Sequence, residues 1–292
     1  MIRRLAFFLL RFSLVPFFAR ELIQRKKVTI IAYHLVSPEV AEAHFTALRR
    51  RYNIISLRDF LNARSNGTLD KLPPKALIVT LDDGHKSNYL LKPVFQKYSI
   101  PATIFLCSGI AGTNRHFWFA THLVDTDRQY LKRVSDERRL EMLEKVGFSE
   151  TREFATRQAL SQTEIEEMKN IADFQSHTVF HSILPRCSKQ RSVREIWQSR
   201  RDLEDKFGLS VYALAYPNGD YSNREIEIAS SAGYECALTM DFGFNSRRTP
   251  LFQLRRIAVN DDAAVSELLV KVSGVWGFLR ERVRSKRKPK GE

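Results

Sequence analysis

The sequence predicts an α/β domain in which parallel strands alternate with helices, arranged either as a barrel or as a doubly wound sheet. Three observations lead to this fold class. Short β-branched apolar segments recur along the chain, amphipathic segments separate them, and polar clusters follow several of the apolar segments. With 292 residues, of which 43% are hydrophobic and 27% charged, the chain has the length and composition of one large globular domain.

Six segments have the character of buried strands, because they are short and rich in β-branched residues. In chain order these strands are 28–34, 76–84, 102–109, 172–177, 211–219 and 234–240. The predicted helices are 41–51, 89–98, 165–170, 192–207, 224–232 and a last one over 265–279. Residues 113–164 are polar and charged with little strand character, so they predict a helical insertion in a β–α loop.

The net charge of +14 is concentrated at the two ends of the chain. Residues 1–27 carry seven Arg or Lys against one Glu, and residues 280–292 carry seven against two Glu. The remaining body is nearly balanced at +3. Nucleic-acid binding requires basic residues spread along a folded face, which this distribution excludes. Basic tails beside an apolar segment indicate an anionic membrane surface instead.

The N-terminal segment, residues 1–27, is apolar between Leu5 and Ala19 but is interrupted by Arg11 and Pro16. Its apolar part would reach roughly 22 Å as a helix, which is short of a ~30 Å hydrocarbon core. One interpretation is an amphipathic segment that lies at a membrane interface, and the other is an N-terminal helix packed on the domain. A signal anchor would place the protein in the cell envelope or periplasm.

Polar clusters follow four of the predicted strands. They are Tyr33-His34, Asp82-Asp83-Gly84, Ser176-His177 and Tyr216-Pro217-Asn218-Gly219. In parallel α/β folds the functional groups collect at the carboxyl ends of the strands, so these clusters are expected to converge.

His177 and His181 lie four residues apart, a spacing that suits shared metal ligation although it is weak evidence alone. An Asp-Asp-Gly sequence alone indicates a solvated turn. Together, two imidazoles and one carboxylate form a three-ligand set that leaves positions open for water and substrate. Because adjacent side chains at a strand end point in different directions, one of Asp82 and Asp83 can bind the metal while the other accepts a proton from water.

The segments TLDDG, SHTVFH and AYPNGDYS, in this order and spacing, resemble the polysaccharide deacetylases of the NodB homology group, carbohydrate esterase family four. The resemblance covers roughly 28–260. It implies a distorted (β/α) barrel of about seven parallel strands over 28–279, followed by a basic tail. It also implies a divalent metal, usually zinc, with other divalent transition metals as alternatives.

The resemblance also implies catalytic and metal-binding roles for individual residues of this sequence. Asp83, His177 and His181 correspond to the metal ligands, and Asp82 corresponds to the base that deprotonates the metal-bound water. The backbone N–H of Asn218 corresponds to the donor for the tetrahedral oxyanion.

The chain departs from the family pattern in that it lacks a late Leu-x-His-Asp segment, whose histidine is the general acid in many relatives. His34, at the end of the first strand, is the candidate acid, with a site-lining or hydrogen-bonded rim position as the alternative. Arg255 and Arg256 also sit at a strand end, and one of them is expected to orient Asp82. The expected substrate contacts are Tyr216, Pro217 and Trp118, although Trp118 could equally pack the insertion onto the barrel.

The sequence therefore predicts a metal-dependent hydrolase that removes an N-acyl group, in the first place N-acetyl, from an amino sugar of a polysaccharide or lipid-linked saccharide. One alternative is a deformylase or another amidohydrolase of a non-peptide C–N bond, and a second is a catalytically silent glycan-binding scaffold. The expected location is a membrane, with the cytoplasmic face favoured.

Overall fold

The computed structural model describes residues 2–120 and 128–280, and for residues 2–4 it describes the backbone alone. The predicted C-terminal tail therefore lies outside the described residues, apart from Arg280. Eight strands form one sheet in the described part of the chain. They are β1 (Thr29–Tyr33), β2 (Asn53–Ile54), β3 (Ala76–Leu81), β4 (Thr103–Leu106), β5 (Asp173–Ser176), β6 (Ala213–Ala215), β7 (Cys236–Leu238) and β8 (Ile257–Ala258).

The strands follow the order β7-β6-β5-β4-β3-β1-β8, and every neighbouring pair is parallel. β2 lies off this path and pairs with the start of β3. Leu254 forms a parallel bridge with Leu238 of β7, three residues before β8 pairs with β1. Residues 254–258 thus pair with β7 at their start and with β1 at their end, and so they connect the two edges of the sheet. The sheet curves into a distorted barrel of seven parallel strands, which confirms the predicted fold class.

The strand cores are apolar on both faces, as expected where helices cover the outside of a parallel sheet. Every residue of β1 and β3 is buried. The α-helices of the described residues are α1 (Ile2–Phe12), α2 (Val15–Phe18), α3 (Pro38–Arg49), α4 (Leu57–Ser65), α5 (Lys92–Tyr98), α6 (Arg128–Leu131), α7 (Asp136–Glu144), α8 (Gln162–Met168), α9 (Lys189–Phe207), α10 (Asn223–Ser231) and α11 (Val265–Val272). Serine caps begin several of them, and Ser161 and Ser222 each form a capping box with the acid three residues later.

The predicted insertion contains only short helical segments among its described residues, namely α6, α7, one turn at Trp118–Ala120 and the start of α8. It forms its own apolar cluster, in which Trp118, Leu143 and Phe148 pack together with Ile183 from the barrel. Residues 121–127, which belong to the insertion, lie outside the described residues.

The N-terminal segment packs on the C-terminal helix and also presents apolar side chains to solvent. Phe7 is buried in a cluster with Val270 and contacts Trp276, with the two rings 4.7 Å apart. Leu9, on the other side of α1, is 61% exposed. Both interpretations of this segment are thus compatible with its placement. Within the described residues, no helix is both long enough and apolar enough to cross a membrane.

Candidate metal and acid–base site

The carboxyl ends of β1, β3, β5 and β6 bring the predicted polar clusters to one edge of the barrel. β3 ends at Leu81, directly before Asp82, and β5 ends at Ser176, directly before His177. β3 and β5 both pair with β4, so their ends lie on either side of the same strand. The strand order therefore brings these clusters together, as expected.

The turn after β3 separates the directions of the two adjacent carboxylates. Asp83 has a φ of +72° and Gly84 a φ of +65°, so the chain reverses immediately after Asp82. A Cβ on Gly84 would lie 2.4 Å from Cδ2 of Leu106 on the neighbouring strand, which leaves room only for glycine. The Asp-Asp-Gly sequence is therefore a buried turn that directs its two acids to different partners.

Asp82 is held by a buried, two-pronged ion pair with Arg256. The Arg256 Nη1 and Nη2 atoms donate to Oδ1 and Oδ2 of Asp82 over 2.7 and 2.9 Å, and the Arg256 Nε–H donates to the carbonyl oxygen of Thr239 over 2.9 Å. Burial alone would raise the pKa of Asp82, but the guanidinium outweighs it and holds that pKa well below its usual range. The carboxylate is therefore ionised in the neutral pH range.

Arg255, the neighbouring candidate, takes no part in this contact. Its side chain is exposed and packs over Gly243, and its backbone N–H donates to Oδ1 of Asn245 over 2.9 Å. Of the two arginines, Arg256 alone contacts Asp82.

Asp83, His177 and His181 form a group whose potential metal-binding atoms all lie within 4.8 Å of one another. Oδ1 of Asp83 is 3.5 Å from Nε2 of His177 and 3.4 Å from Nε2 of His181. These separations are long for hydrogen bonds, and Oδ1 of Asp83 is buried without a hydrogen-bond partner in the described structure. Tetrahedral zinc bonds of about 2.0–2.1 Å place ligand atoms about 3.3–3.4 Å apart. The three residues thus fit a small divalent cation.

The ring of His177 is oriented for such a role by a hydrogen bond, whereas Nδ1 of His181 is buried without a hydrogen-bond partner in the described structure. His177 Nδ1 lies 2.8 Å from the carbonyl oxygen of Ala215, and since a carbonyl only accepts, Nδ1 carries the proton and Nε2 keeps its lone pair. His181 is fully buried, and desolvation holds its pKa well below the usual value, so this ring is neutral. The ring of Phe119 packs against it with centroids 4.6 Å apart.

The loop that carries both histidines is anchored by Glu195 of α9, a residue that sequence reasoning missed. Oε2 of Glu195 accepts the backbone N–H groups of Val179 and Phe180, each over 2.9 Å. Arg191, one turn earlier, lies 3.0 Å from Oε1 of Glu195 and also pairs with Glu150. A sequence signal was available, because Glu195 falls on the apolar face of an amphipathic helix, where an acid without a partner is unfavourable.

His34 lies at the edge of the site. Its backbone N–H donates to Oδ1 of Asp261 over 2.9 Å, and its carbonyl oxygen accepts from Nδ2 of Asn88. Burial raises the pKa of Asp83, and the imidazoles of His177 and His34 oppose this effect. Tyr33 pairs with Leu81 in the β1–β3 ladder, and the Asp82 N–H donates to the carbonyl oxygen of Tyr33 over 3.0 Å, so His34 and Asp82 leave neighbouring strands side by side. Asp261 was missed, because it stands in a loop with no motif around it.

The three residues that are expected to contact substrate are buried in the described structure. Trp118 is 2% exposed, and its Nε1–H donates to the carbonyl oxygen of His181 over 3.0 Å, so it supports the histidine loop and does not line an open groove. Tyr216 is fully buried, with its hydroxyl donating to the carbonyl oxygen of Phe252 over 3.3 Å, and Pro217 is buried beside it. These contacts show how the three side chains are held in the barrel, and their contact with substrate stays a prediction.

Asn218 follows in a strained turn that faces the same edge. Its φ is +56°, its side chain is half-buried, and the buried Nδ2 has no hydrogen-bond partner in the described structure. Gly219 has a φ of +77°, and a Cβ there would lie 2.4 Å from the backbone nitrogen of Met240. The turn is therefore tightly specified by its glycine.

Residues 70–237 match the family model described as polysaccharide deacetylase. The Bacillus subtilis protein YxkH, named as a polysaccharide deacetylase, is 24% identical over 245 residues, which cover 80% of this chain and 72% of that protein. The poly-beta-1,6-N-acetyl-D-glucosamine N-deacetylase of Staphylococcus aureus is 22% identical over 210 residues, which cover 72% of this chain. The match spans 62% of the length of the staphylococcal enzyme.

A solved structure of the Streptococcus pyogenes deacetylase PplD in complex with acetate superposes with a TM-score of 0.62 and 23% identity. The match covers 84% of this chain and 98% of that one. The likeness to this structure supports the barrel architecture.

Proposed function

The chain belongs to the polysaccharide deacetylase family, hydrolases of non-peptide carbon–nitrogen bonds, and we propose that it removes N-acyl groups, in the first place N-acetyl, from amino sugars. Its substrate is an amino sugar within a polysaccharide or a lipid-linked saccharide. The observation that carries this proposal is the separation of 3.4–3.5 Å between Oδ1 of Asp83 and the two imidazole Nε2 atoms, next to an ionised Asp82.

We infer that Asp83, His177 and His181 hold a divalent metal, zinc in the first place or another divalent transition metal. When bound, such an ion polarises the acyl carbonyl and lowers the pKa of water. The unpartnered buried Oδ1 of Asp83 supports this assignment, since a buried carboxylate oxygen without a hydrogen bond is costly unless a cation compensates it.

Asp82 is the proposed base. Arg256 fixes its orientation and keeps it ionised, so the carboxylate is available to take a proton from the attacking water. The backbone N–H of Asn218 is the proposed donor to the oxyanion, and donors of this kind typically contribute about 3–4 kcal/mol of barrier lowering. His34 is the proposed acid for the leaving amine, supported by its position at the end of β1, beside the end of β3 that carries Asp82.

We also infer that the protein works at an anionic membrane surface, on the cytoplasmic face in the first place, with the cell envelope or periplasm as the alternative. The supporting features are the excess of basic residues in 1–27 and the apolar side chains that the same segment exposes. This location would place the enzyme near lipid-carried saccharides.

The test combines metal analysis of the purified protein with acetate and formate release from a panel of N-acylated saccharides and lipid-linked sugars. Asp82→Asn should keep its metal and lose about 10²–10⁴-fold in turnover, the usual contribution of a general base. Asp83→Ala should lose metal affinity instead. Asp205→Asn, an exposed change on α9, is the matched control and should behave as the unmodified protein.

Unchanged turnover in Asp82→Asn would refute the assignment of the base. Formate release without acetate release would replace deacetylation by deformylation. A metal-loaded protein that releases no acyl group from any member of the panel would support the glycan-binding scaffold.

A further inference from the structure

A groove of about 900 Å³ opens at the amino-terminal end of the barrel, opposite the candidate metal site. Its walls include 25–28 before β1, 72–76 at the start of β3, and 245–248. This volume lies in the range of small-molecule sites. The polar clusters at the carboxyl ends of β1 and β3 do not reach it, so it is a separate feature of the fold, and we call it the basic groove.

Six cationic side chains and one carboxylate, Asp70, line the basic groove. Arg64 is already engaged, because its Nη atoms donate to the carbonyl oxygens of Ser246 and Thr249 over 2.6 and 2.9 Å. Within the described residues, no carboxylate lies within salt-bridge distance of the other five cations, which are Arg25, Lys26, Lys27, Arg247 and Arg248. Such a concentration of unpaired positive charge attracts anions.

The two walls of the basic groove are fixed relative to one another. Val28 and Asn245 exchange two backbone hydrogen bonds of 2.9 and 2.8 Å, which hold residues 25–28 beside residues 245–248. Lys75 pairs with Glu21 over 3.2 Å, and its backbone N–H donates to the carbonyl oxygen of Arg25 over 3.0 Å. The end of the N-terminal segment is therefore tied to the wall of the groove.

The same segment exposes an unusual amount of apolar surface. Of the sixteen large apolar side chains that are exposed in the described structure, ten lie between residues 5 and 23. We call these ten the apolar stripe: Leu5, Phe8, Leu9, Phe12, Leu14, Val15, Phe17, Phe18, Leu22 and Ile23. Arg25 follows Ile23 by two residues, so their Cα atoms are at most about 8 Å apart. The last residue of the apolar stripe thus lies next to a residue that lines the basic groove.

We propose that the basic groove binds the phosphate of an anionic phospholipid headgroup while the apolar stripe enters the same leaflet. This inference rests on the proposed membrane association and identifies which residues read the lipid. A phospholipid carries a phosphate and acyl chains in one molecule. Such a lipid therefore suits a surface that combines cationic and apolar side chains. A second copy of the chain fits less well, since a two-fold contact would bring two equally positive surfaces together.

The test measures flotation of the full chain with two kinds of vesicle, phosphatidylcholine alone and phosphatidylcholine mixed with phosphatidylglycerol. Each basic residue near an anionic surface contributes roughly five-fold in affinity, so Arg247→Gln/Arg248→Gln should weaken binding to the mixed vesicles about 25-fold. Lys189→Gln/Arg194→Gln, two exposed cations at the start of α9, is the matched control and should change binding little. Phe8→Ser/Leu9→Ser should weaken binding to both kinds of vesicle. Circular dichroism verifies that each variant is folded.

The outcomes separate the two inferences. If the groove and control variants bind mixed vesicles equally, the headgroup assignment is overturned while membrane association stands. If the unmodified protein floats with neither vesicle, membrane association fails, and the headgroup assignment fails with it. If soluble glycerol phosphate occupies the groove as tightly as the vesicles do, the ligand is a free phosphate ester and not a lipid. Deacetylation of a soluble saccharide, measured in parallel, is independent of all three outcomes.

Discussion

The two ends of the barrel hold their charged side chains in opposite ways. At the carboxyl end of β3, Asp82 is buried and both of its carboxylate oxygens accept from the buried guanidinium of Arg256. At the amino ends, Arg247 and Arg248 are exposed and have no acidic partner among the described residues. A buried charge must be paired to be tolerated, whereas an exposed one costs little to leave free. Pairing at one end therefore sets geometry for chemistry, and free charge at the other suits reversible surface binding.

The largest expected difference between the two ends is in stability. Arg256→Ala leaves the buried Asp82 carboxylate without its partner, which should lower the free energy of unfolding by about 3–5 kcal/mol. Arg247→Ala, in the basic groove, should change it by no more than about 0.5 kcal/mol. Urea denaturation of the two variants measures both values, and equal losses would show that the two ends do not differ in this way.

The next effect is a pH dependence at the carboxyl end. Burial raises the pKa of Glu150 from 4.5 to about 7, although Arg191 opposes the shift. Because the folded state binds this proton more tightly than the unfolded state, the stabilisation is complete below about pH 4.5 and is lost as the pH rises through about 7. The shift corresponds to at most about 3 kcal/mol.

Glu150→Gln removes that titration, so its stability relative to the unmodified protein should rise with pH across this window. Unfolding free energies from urea denaturation at about pH 4.5 and about pH 8 provide the measurement. Glu153→Gln is the control, because Glu153 is exposed and its contacts with Arg115 and the backbone N–H of Asn114 lie at the surface. Parallel curves for Glu150→Gln and the unmodified protein would contradict the expectation.

The smallest expected effect is on metal affinity, and it is produced by changing Glu195, which anchors the histidine loop. Glu195→Ala removes the acceptor of the Val179 and Phe180 N–H groups, so the histidine loop loses its anchor and metal affinity should fall about 10–100-fold. Glu195→Gln keeps an acceptor oxygen and should recover part of the loss. Competition with a chelating dye measures the affinity. Glu204→Ala, on the same helix, should leave it unchanged, and an equal loss there would indicate a general effect on α9.

The sequence predicted the strands and site residues whose signals are local. Asp82, Asp83 and His177 stand directly after apolar strands, and this placement identifies them without any knowledge of contacts. The two-residue strands β2 and β8 were not predicted, because Asn53–Ile54 and Ile257–Ala258 are too short to show a period of two. Their pairing depends on neighbours that are distant in the chain.

Where a role depends on long-range contacts, the sequence reduced the number of candidate residues but did not identify the one that fills the role. Either Arg255 or Arg256 could have met Asp82 as far as the sequence showed, and only the packing of the segment before β8 directs Arg256 inward. Trp118 and Tyr216 are predicted to contact substrate, but the sequence did not show how the protein holds their side chains. Both have polar tips that hydrogen-bond inside the protein, and the acceptors are backbone carbonyls that no sequence pattern reveals.

The contacts of Arg191 have a consequence for attempts to change substrate range by exchanging loops. This one side chain joins Glu150 and Asp136 of the insertion to Glu195, which carries the histidine loop. A segment from a relative that replaced 113–164 would carry its acids at other positions. Arg191 would then not be placed to pair with them. The insertion and α9 are therefore best exchanged together, as a single engineering module.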